Sequence, residues 1–160
     1  MSISNAQASL NGLSKLGALS LVVALIFSAG NEALAQKQDL TGAKTLYSGQ
    51  WTKKTNKIAG NWSIVEKGGK RYVVLDSKFK TSNAPDLKII LSPTAIKDLK
   101  SKNAMQKAKI VSLLKSNKGA QTFEIPKGID LTKFKSVAIH CEKYTKLWGG
   151  SALVTPKKTS

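Results

Sequence analysis

Residues 58–75 read IAGNWSIVEKGGKRYVVL, two short apolar runs separated by a pair of glycines. The runs, residues 58–65 and 71–75, are rich in the β-branched and aromatic side chains that strands favour. Gly68 and Gly69 between them permit the positive φ angles of a tight turn. The stretch therefore predicts a β-hairpin.

Five further segments have the same character as the two arms of this hairpin. Each is short, is rich in aliphatic, β-branched or aromatic residues, and lies next to turn-forming residues such as Gly and Pro. Several such strands with few helical runs predict an all-β fold, a β-sandwich or barrel-like single domain. The predicted strands are residues 46–51, 87–91, 122–125, 136–144 and 147–155, the last broken by Gly149 and Gly150.

One segment, residues 95–114, departs from this pattern because its apolar residues recur at loosely helical spacing. Ser92 and Pro93 before it are suited to the cap and first turn of a helix. The periodicity leaves two alternatives open: a short helix, or a long irregular crossover that ends in a strand at residues 110–114.

The first 35 residues have the features of a cleaved secretory signal peptide. An apolar run at residues 16–29 follows Lys15, and the small residues Ala33 and Ala35 precede Gln36 at the cleavage positions. This run is shorter than the roughly 20 apolar residues of a membrane-spanning helix. We therefore expect an exported protein, periplasmic, extracellular or on the cell surface. Its mature domain would be residues 36–160, with a core at about residues 42–155.

The chain is strongly basic, with 26 Lys and Arg, 9 Asp and Glu, and a formal charge of +17. Arg71 is the only arginine, so almost all of the positive charge is lysine. This charge attracts anions over a long range. The scarcity of Arg, the lack of a nucleic-acid-binding motif and the signal peptide argue against a nucleic-acid partner. We expect an acidic protein or redox partner, anionic envelope polymers or lipid head groups.

The single Cys and the single His exclude several kinds of site. They cannot form an internal disulfide or supply the four ligands of a structural zinc site. One Cys cannot hold an iron–sulfur cluster, and the chain has no Cys-x-x-Cys-His motif for covalent haem attachment. We expect neither a metal site nor an enzyme, because no acid/base or nucleophile constellation is apparent.

Cys141 and His140 are neighbours in the predicted strand 136–144. Alternate residues of a strand share a face, so Cys141 lies with Val137 and Ile139 on the more apolar face and His140 lies on the other. This separation argues against a Cys–His dyad unless a β-bulge intervenes. Two roles stay open for Cys141, an inert core thiol or a reactive or ligating thiol. For His140 the pattern favours a half-exposed position.

Three motifs follow one another along the predicted domain: Pro85-Asp86-Leu87, a Gly-x-Gln-x-x-x-Ile-Pro block at residues 119–126, and Ile139-x-Cys141. In this order they resemble the DM-thirteen domain, the module also found in the Skeletor protein of animals. The resemblance covers nearly all of residues 36–160. It implies a β-sandwich-like extracytoplasmic domain that acts in electron transfer, with Cys141 as a bare thiol or as the holder of a prosthetic group such as haem.

The chain departs from the family pattern at two positions. His140 stands where the residue before the Cys is commonly aromatic, and Ala84 stands where Gly usually precedes Pro-Asp. A non-covalent haem would take Cys141 or His140 as its axial ligand, and a domain without any cofactor is equally compatible with the sequence. Asp86 is either a polar neighbour of the Cys site or, as its turn position favours, a carboxylate that caps backbone N–H groups.

Two functions from different classes follow. The leading one is a non-enzymatic redox or electron-transfer accessory that acts through Cys141, with or without a prosthetic group. The alternative is a non-catalytic envelope or matrix binding domain that uses its lysine-rich surface on acidic partners.

Overall fold

The structure, a computed structural model, describes residues 38–155. The predicted signal peptide lies outside these residues. Within them the chain forms eleven strands and two short 3-10 turns, at Ser101–Asn103 and Leu131–Lys133, and has no α-helix. Accordingly, no helix in this part of the chain is long and apolar enough to cross a membrane. The strands are β1 (Lys44–Gln50), β2 (Thr52–Lys53), β3 (Ile58–Ala59), β4 (Asn61–Lys67), β5 (Lys70–Leu75), β6 (Lys80–Thr81), β7 (Leu87–Ser92), β8 (Lys109–Leu113), β9 (Gln121–Glu124), β10 (Ser136–Cys141) and β11 (Lys146–Ala152).

The predicted hairpin is present as β4 and β5, which pair antiparallel along their whole length. Gly68 and Gly69 adopt φ angles of 58° and 72°, as a two-residue hairpin turn of this type requires. The first predicted arm is divided in two, because Gly60, with a φ angle of 100°, separates β3 from β4.

Two antiparallel sheets form a sandwich, which confirms the predicted all-β class. One sheet has the strand order β1-β4-β5-β9 and the other β2-β11-β10-β7-β8, while β3 and β6 form a small separate pair. The inward side chains of both sheets join in one buried cluster, because period-two alternation places every second residue on the inner face. Its members include Trp62, Ile64, Val73, Leu75 and Phe123 from the first sheet and Ile89, Leu91, Val137, Ile139 and Trp148 from the second.

The five-stranded sheet is also buried on its outer face, because residues 93–108 cross over it. This crossover contains only the 3-10 turn Ser101–Asn103 and leads into β8. The irregular alternative is therefore the one that the chain adopts, and the predicted strand at its end is confirmed. A second buried cluster forms beneath it, made of Ile90, Ala138 and Leu147 from the sheet and Leu99 and Ala104 from the crossover.

The last two strands differ from their predicted extents. β10 ends at Cys141, because residues 142–145 form an exposed turn in which Thr145 has a φ angle of 50°. β11 runs through Gly149 and Gly150 without the predicted break. A Cβ atom added at Gly149 would lie 2.7 Å from the carbonyl oxygen of Thr52 on the neighbouring strand. Gly149 therefore allows β11 and β2 to lie close together and does not end the strand.

Candidate functional site

Cys141 is the last residue of β10, and its side chain is fully buried. It belongs to the inner core cluster together with Val137 and Ile139, on the apolar face that the alternation predicts. Its register partners are Leu87 on β7 and Lys146 on β11. The thiol is free.

His140 lies on the opposite face of the sheet and is only 1% exposed. The predicted half-exposed position is therefore wrong. The reason is tertiary: the outer face of β10 lies beside the crossover cluster, and Leu147 and Lys88 are the cross-strand partners of His140.

A β-bulge is present beside these two residues, but it does not bring them together. The register between β10 and β11 shifts between Ile139 and His140, leaving Trp148 of β11 as the extra residue. The register between β10 and β7 does not shift there, so β10 keeps its alternation. Cys141 and His140 therefore stay on opposite faces and do not form a hydrolase dyad.

Three charged residues form a group of ion pairs next to His140, centred on Lys88, its partner on β7. We call Lys88, Asp86 and Glu142 the Lys88 cluster. The Nζ atom of Lys88 lies 3.6 Å from an Asp86 carboxylate oxygen and pairs with Glu142. The backbone N–H of Glu142 donates to the Asp86 carbonyl oxygen at 3.2 Å, which fastens the turn after β10 to the start of β7. Asp86 thus acts as an ion-pair partner at a turn, one residue before the strand partner of Cys141.

Burial lowers the pKa of His140, and the ammonium of Lys88 lowers it further, while the Asp86 carboxylate acts in the opposite direction. Neither Nδ1 nor Nε2 of the ring has a hydrogen-bond partner, although both atoms are buried. The imidazole is therefore neutral near pH 7 and retains an unused lone pair.

The residues at this site do not fit a haem or a metal ion. The sulfur of Cys141 is enclosed in the core, where no face of it is free for a planar macrocycle. The Lys88 ammonium beside His140 opposes a cation on the ring. Among residues 38–155, no group of three His, Cys, Asp or Glu side chains converges on one point.

Two grooves on the surface lie away from Cys141 and His140. One is lined by residues 57–59 and 80–82. The other lies between β8 and the segment that follows β9. Neither lining includes Cys141, His140 or a member of the Lys88 cluster.

Cys141, His140 and Asp86 are candidates from the sequence, whereas Lys88 and Glu142 join them only in the structure. A signal for Lys88 is present, because it is the only charged residue in the apolar run 87–91. A lysine in the interior of a buried strand requires an acidic partner nearby. Glu142 carries no comparable signal, since it lies in an exposed turn.

A family model described as "Electron transfer DM13" matches residues 50–153. The match spans β2 to β11 and includes Cys141, and it is the family that the sequence motifs resemble. No curated protein and no solved structure gives a significant match to the chain.

Proposed function

Because the chain belongs to the electron transfer DM13 family, we propose that it is an exported redox accessory whose reactive group is the Cys141 thiol. One observation carries this proposal. The only Cys of the chain lies inside the family match, at the end of a strand and directly before an exposed turn. A thiol in the middle of a core element would be reached only by an opening close to global unfolding, whereas one at a strand end beside a loop can be reached by a smaller one.

The buried thiol needs a local opening before it can react. Residues 142–146 are all exposed, and Cys141 pairs with Lys146 at this end of β10 and β11. We infer that the opening which exposes the sulfur begins with separation of this pair. Strand ends beside turns open at a lower free energy than the core of a fold. The thiol would then be reactive intermittently, and the closed state would shield it from irreversible oxidation.

The chemical step that we propose is thiol–disulfide exchange with a disulfide-bearing partner. The Cys141 thiolate attacks one sulfur of the partner's disulfide, a mixed disulfide forms, and the other sulfur leaves as a thiolate that takes up a proton. A thiolate of a second protein then attacks the partner's sulfur of the mixed disulfide, a disulfide forms between the partner and the second protein, and Cys141 leaves as a thiolate that takes up a proton. The electron pair of the partner's original S–S bond ends on the sulfur that was first released, and the sulfur of the second protein is oxidised in its place. No step passes through a haem or a metal.

The lysine-rich surface would dock an acidic partner in this scheme, because the chain carries a formal charge of +17. The same charge supports the second candidate function, a non-catalytic binding domain of the envelope or matrix. The observation that favours this second function is that Cys141 is completely buried, as an inert core thiol would be.

The test is the rate at which a maleimide reagent labels the thiol of the full chain under native conditions and at low denaturant concentrations. A matched control is the double variant Cys141→Ala/Ile139→Cys, whose thiol is buried on the same inner face in the middle of the same strand. We expect Cys141 to react faster than this control, at a rate that low denaturant hardly changes, because a local opening exposes little surface. Equal rates for both thiols, each following global unfolding, would contradict the redox proposal and favour the binding domain.

An absorption spectrum of the same preparation tests for a prosthetic group. A Soret band that disappears in Cys141→Ala would place a haem at the thiol, against the fit described above. A colourless protein with fast thiol labelling agrees with the exchange step.

A further inference from the structure

A groove of about 440 Å³ lies between β8 and the segment that joins β9 to β10. Its lining combines apolar and charged side chains. The apolar members include Ile110, Ile129 and Phe134, and the charged members are Lys109, Lys127, Asp130 and Lys133.

The one carboxylate of this lining is already engaged. Asp130 accepts hydrogen bonds from the backbone N–H of Thr132 at 3.1 Å and from its hydroxyl at 2.6 Å, and so caps the 3-10 turn Leu131–Lys133. Within residues 38–155, no ion pair includes Lys109 or Lys127. The groove therefore has an excess of positive charge.

The groove also follows an open edge of the sandwich. β8 is the outermost strand of its sheet, and among residues 38–155 only β7 pairs with it. Ile110 on this edge is 42% exposed. An exposed edge with an apolar side chain is a surface on which an extended peptide can add as a further strand.

We propose that this groove binds an extended acidic peptide segment of a partner protein. One aliphatic or aromatic side chain of the segment would contact Ile110, Ile129 and Phe134. Carboxylates on either side of it would pair with Lys109 and Lys127, which the groove itself leaves without an acidic partner. The inference rests on the proposed function only in taking the partner to be acidic, and it makes no use of the thiol.

The probe is a fluorescein-labelled five-residue peptide with a central Leu between two pairs of acidic residues, added to the full chain. The test variant is the double charge reversal Lys109→Glu/Lys127→Glu. The matched control, Lys97→Glu/Lys143→Glu, changes the net charge equally at two exposed lysines outside the groove. We expect the test variant to weaken binding about tenfold or more and the control less than about threefold, because local pairing outweighs the general field.

A second pair of variants tests the apolar contact. Ile110→Thr keeps a β-branched residue in the strand but removes apolar surface from the groove, whereas Leu113→Thr makes a comparable change at a residue that is exposed on the same strand and outside the groove. We expect only Ile110→Thr to weaken binding. Replacement of the central Leu of the peptide by Gly should weaken binding to the native chain and have little further effect on Ile110→Thr.

Three outcomes would overturn the proposal. The first is equal loss of binding in both charge reversals, and the second is equal binding of the Leu and Gly peptides. The third is that the chain does not bind the peptide but binds phosphatidylglycerol vesicles or a second copy of itself, in a way that depends on Lys109 and Lys127. Peptide binding to the native chain and to Cys141→Ala, together with labelling of the native Cys141 thiol only on global unfolding, would count against the redox proposal alone. Absence of peptide binding to the native chain, together with fast labelling of its Cys141 thiol, would count against the groove proposal alone.

Discussion

Lys88 of β7 lies directly across from His140 of β10 in the antiparallel register, on the outer face of the five-stranded sheet. The Lys88 side chain is only 17% exposed, and its ammonium is paired with Asp86 and Glu142. This positive charge lies beside the imidazole of His140, whose pKa burial already lowers. Because the chain contains a single His, the titration of this ring can be followed without interference.

The variant Lys88→Met should raise the pKa of His140. Lys88 lowers this pKa and Asp86 raises it, so removal of the ammonium leaves the carboxylate effect unopposed. The measurement is the pH dependence of the ring resonances in NMR spectra, with Lys143→Met, an exposed lysine of the nearby turn, as the control. An unchanged pKa in Lys88→Met would mean that the Lys88 ammonium does not contribute to it.

The free energy of unfolding should fall as the pH falls below about 6.5, the ordinary pKa of His. The folded chain has a lowered His140 pKa, so the unfolded chain binds the proton more readily, and acid favours unfolding. The contribution of neutral His140 to the free energy of unfolding is fully present above the pKa that His140 has in the unfolded chain. It is lost as the pH falls towards and through the lower pKa of the folded chain. Urea unfolding between pH 7 and 5 checks this expectation. Asp76 and Asp130 do not interfere in this range, because their pKa values are lowered and they titrate at lower pH.

His140→Leu should remove this slope between pH 7 and 5. At pH 7 the variant should be about as stable as the native chain or more stable, because it replaces a buried ring whose two nitrogens have no partner, a cost of about 1–3 kcal/mol per buried polar group. Identical slopes in both proteins would assign the pH dependence to other groups.

The features that the sequence predicts well are those with local causes. The β4–β5 hairpin follows from two β-rich runs and the paired glycines, and the face of Cys141 follows from the two-residue period of a strand. The burial of His140 has no such local cause. It depends on an irregular crossover and on a β7 lysine, both distant in sequence, and neither has a periodicity that reveals where it packs.

The glycines of β11 illustrate the same limit. A Gly-Gly pair in a strand commonly marks a break or a bulge, and only the three-dimensional neighbours identify close approach as the reason here. A Cβ atom at Gly149 would meet Ile58 at 2.5 Å and the Thr52 carbonyl at 2.7 Å.

Gly149→Ala should therefore destabilise the fold more than Gly150→Ala does. At Gly150 the closest atom to an added Cβ is the Cδ1 end of the Ile96 side chain, which can rotate away, and the nearest backbone atom, the Val137 carbonyl oxygen, is 3.0 Å away. At Gly149 the Thr52 carbonyl oxygen is only 2.7 Å away and cannot move in this way. We expect Gly149→Ala to cost about 1–3 kcal/mol, the usual range for overpacking, and Gly150→Ala less. Urea midpoints of the two variants at constant m-value decide this, and the reverse order would contradict the close strand approach.

Leu99→Ala should show that the crossover, although irregular, is part of the core. Leu99 is 1% exposed, its N–H donates to the Ala95 carbonyl at 3.0 Å, and its side chain packs with Ile90 and Leu147 of the sheet. Truncation of a buried Leu costs about 2–5 kcal/mol, while Leu113→Ala, at a residue 58% exposed, should change stability by no more than about 0.5 kcal/mol. Equal urea midpoints for the two variants would mean that the crossover does not pack on the sheet in solution. In that case the outer face of β10 would be open to water, and the pKa of His140 would lie near its ordinary value.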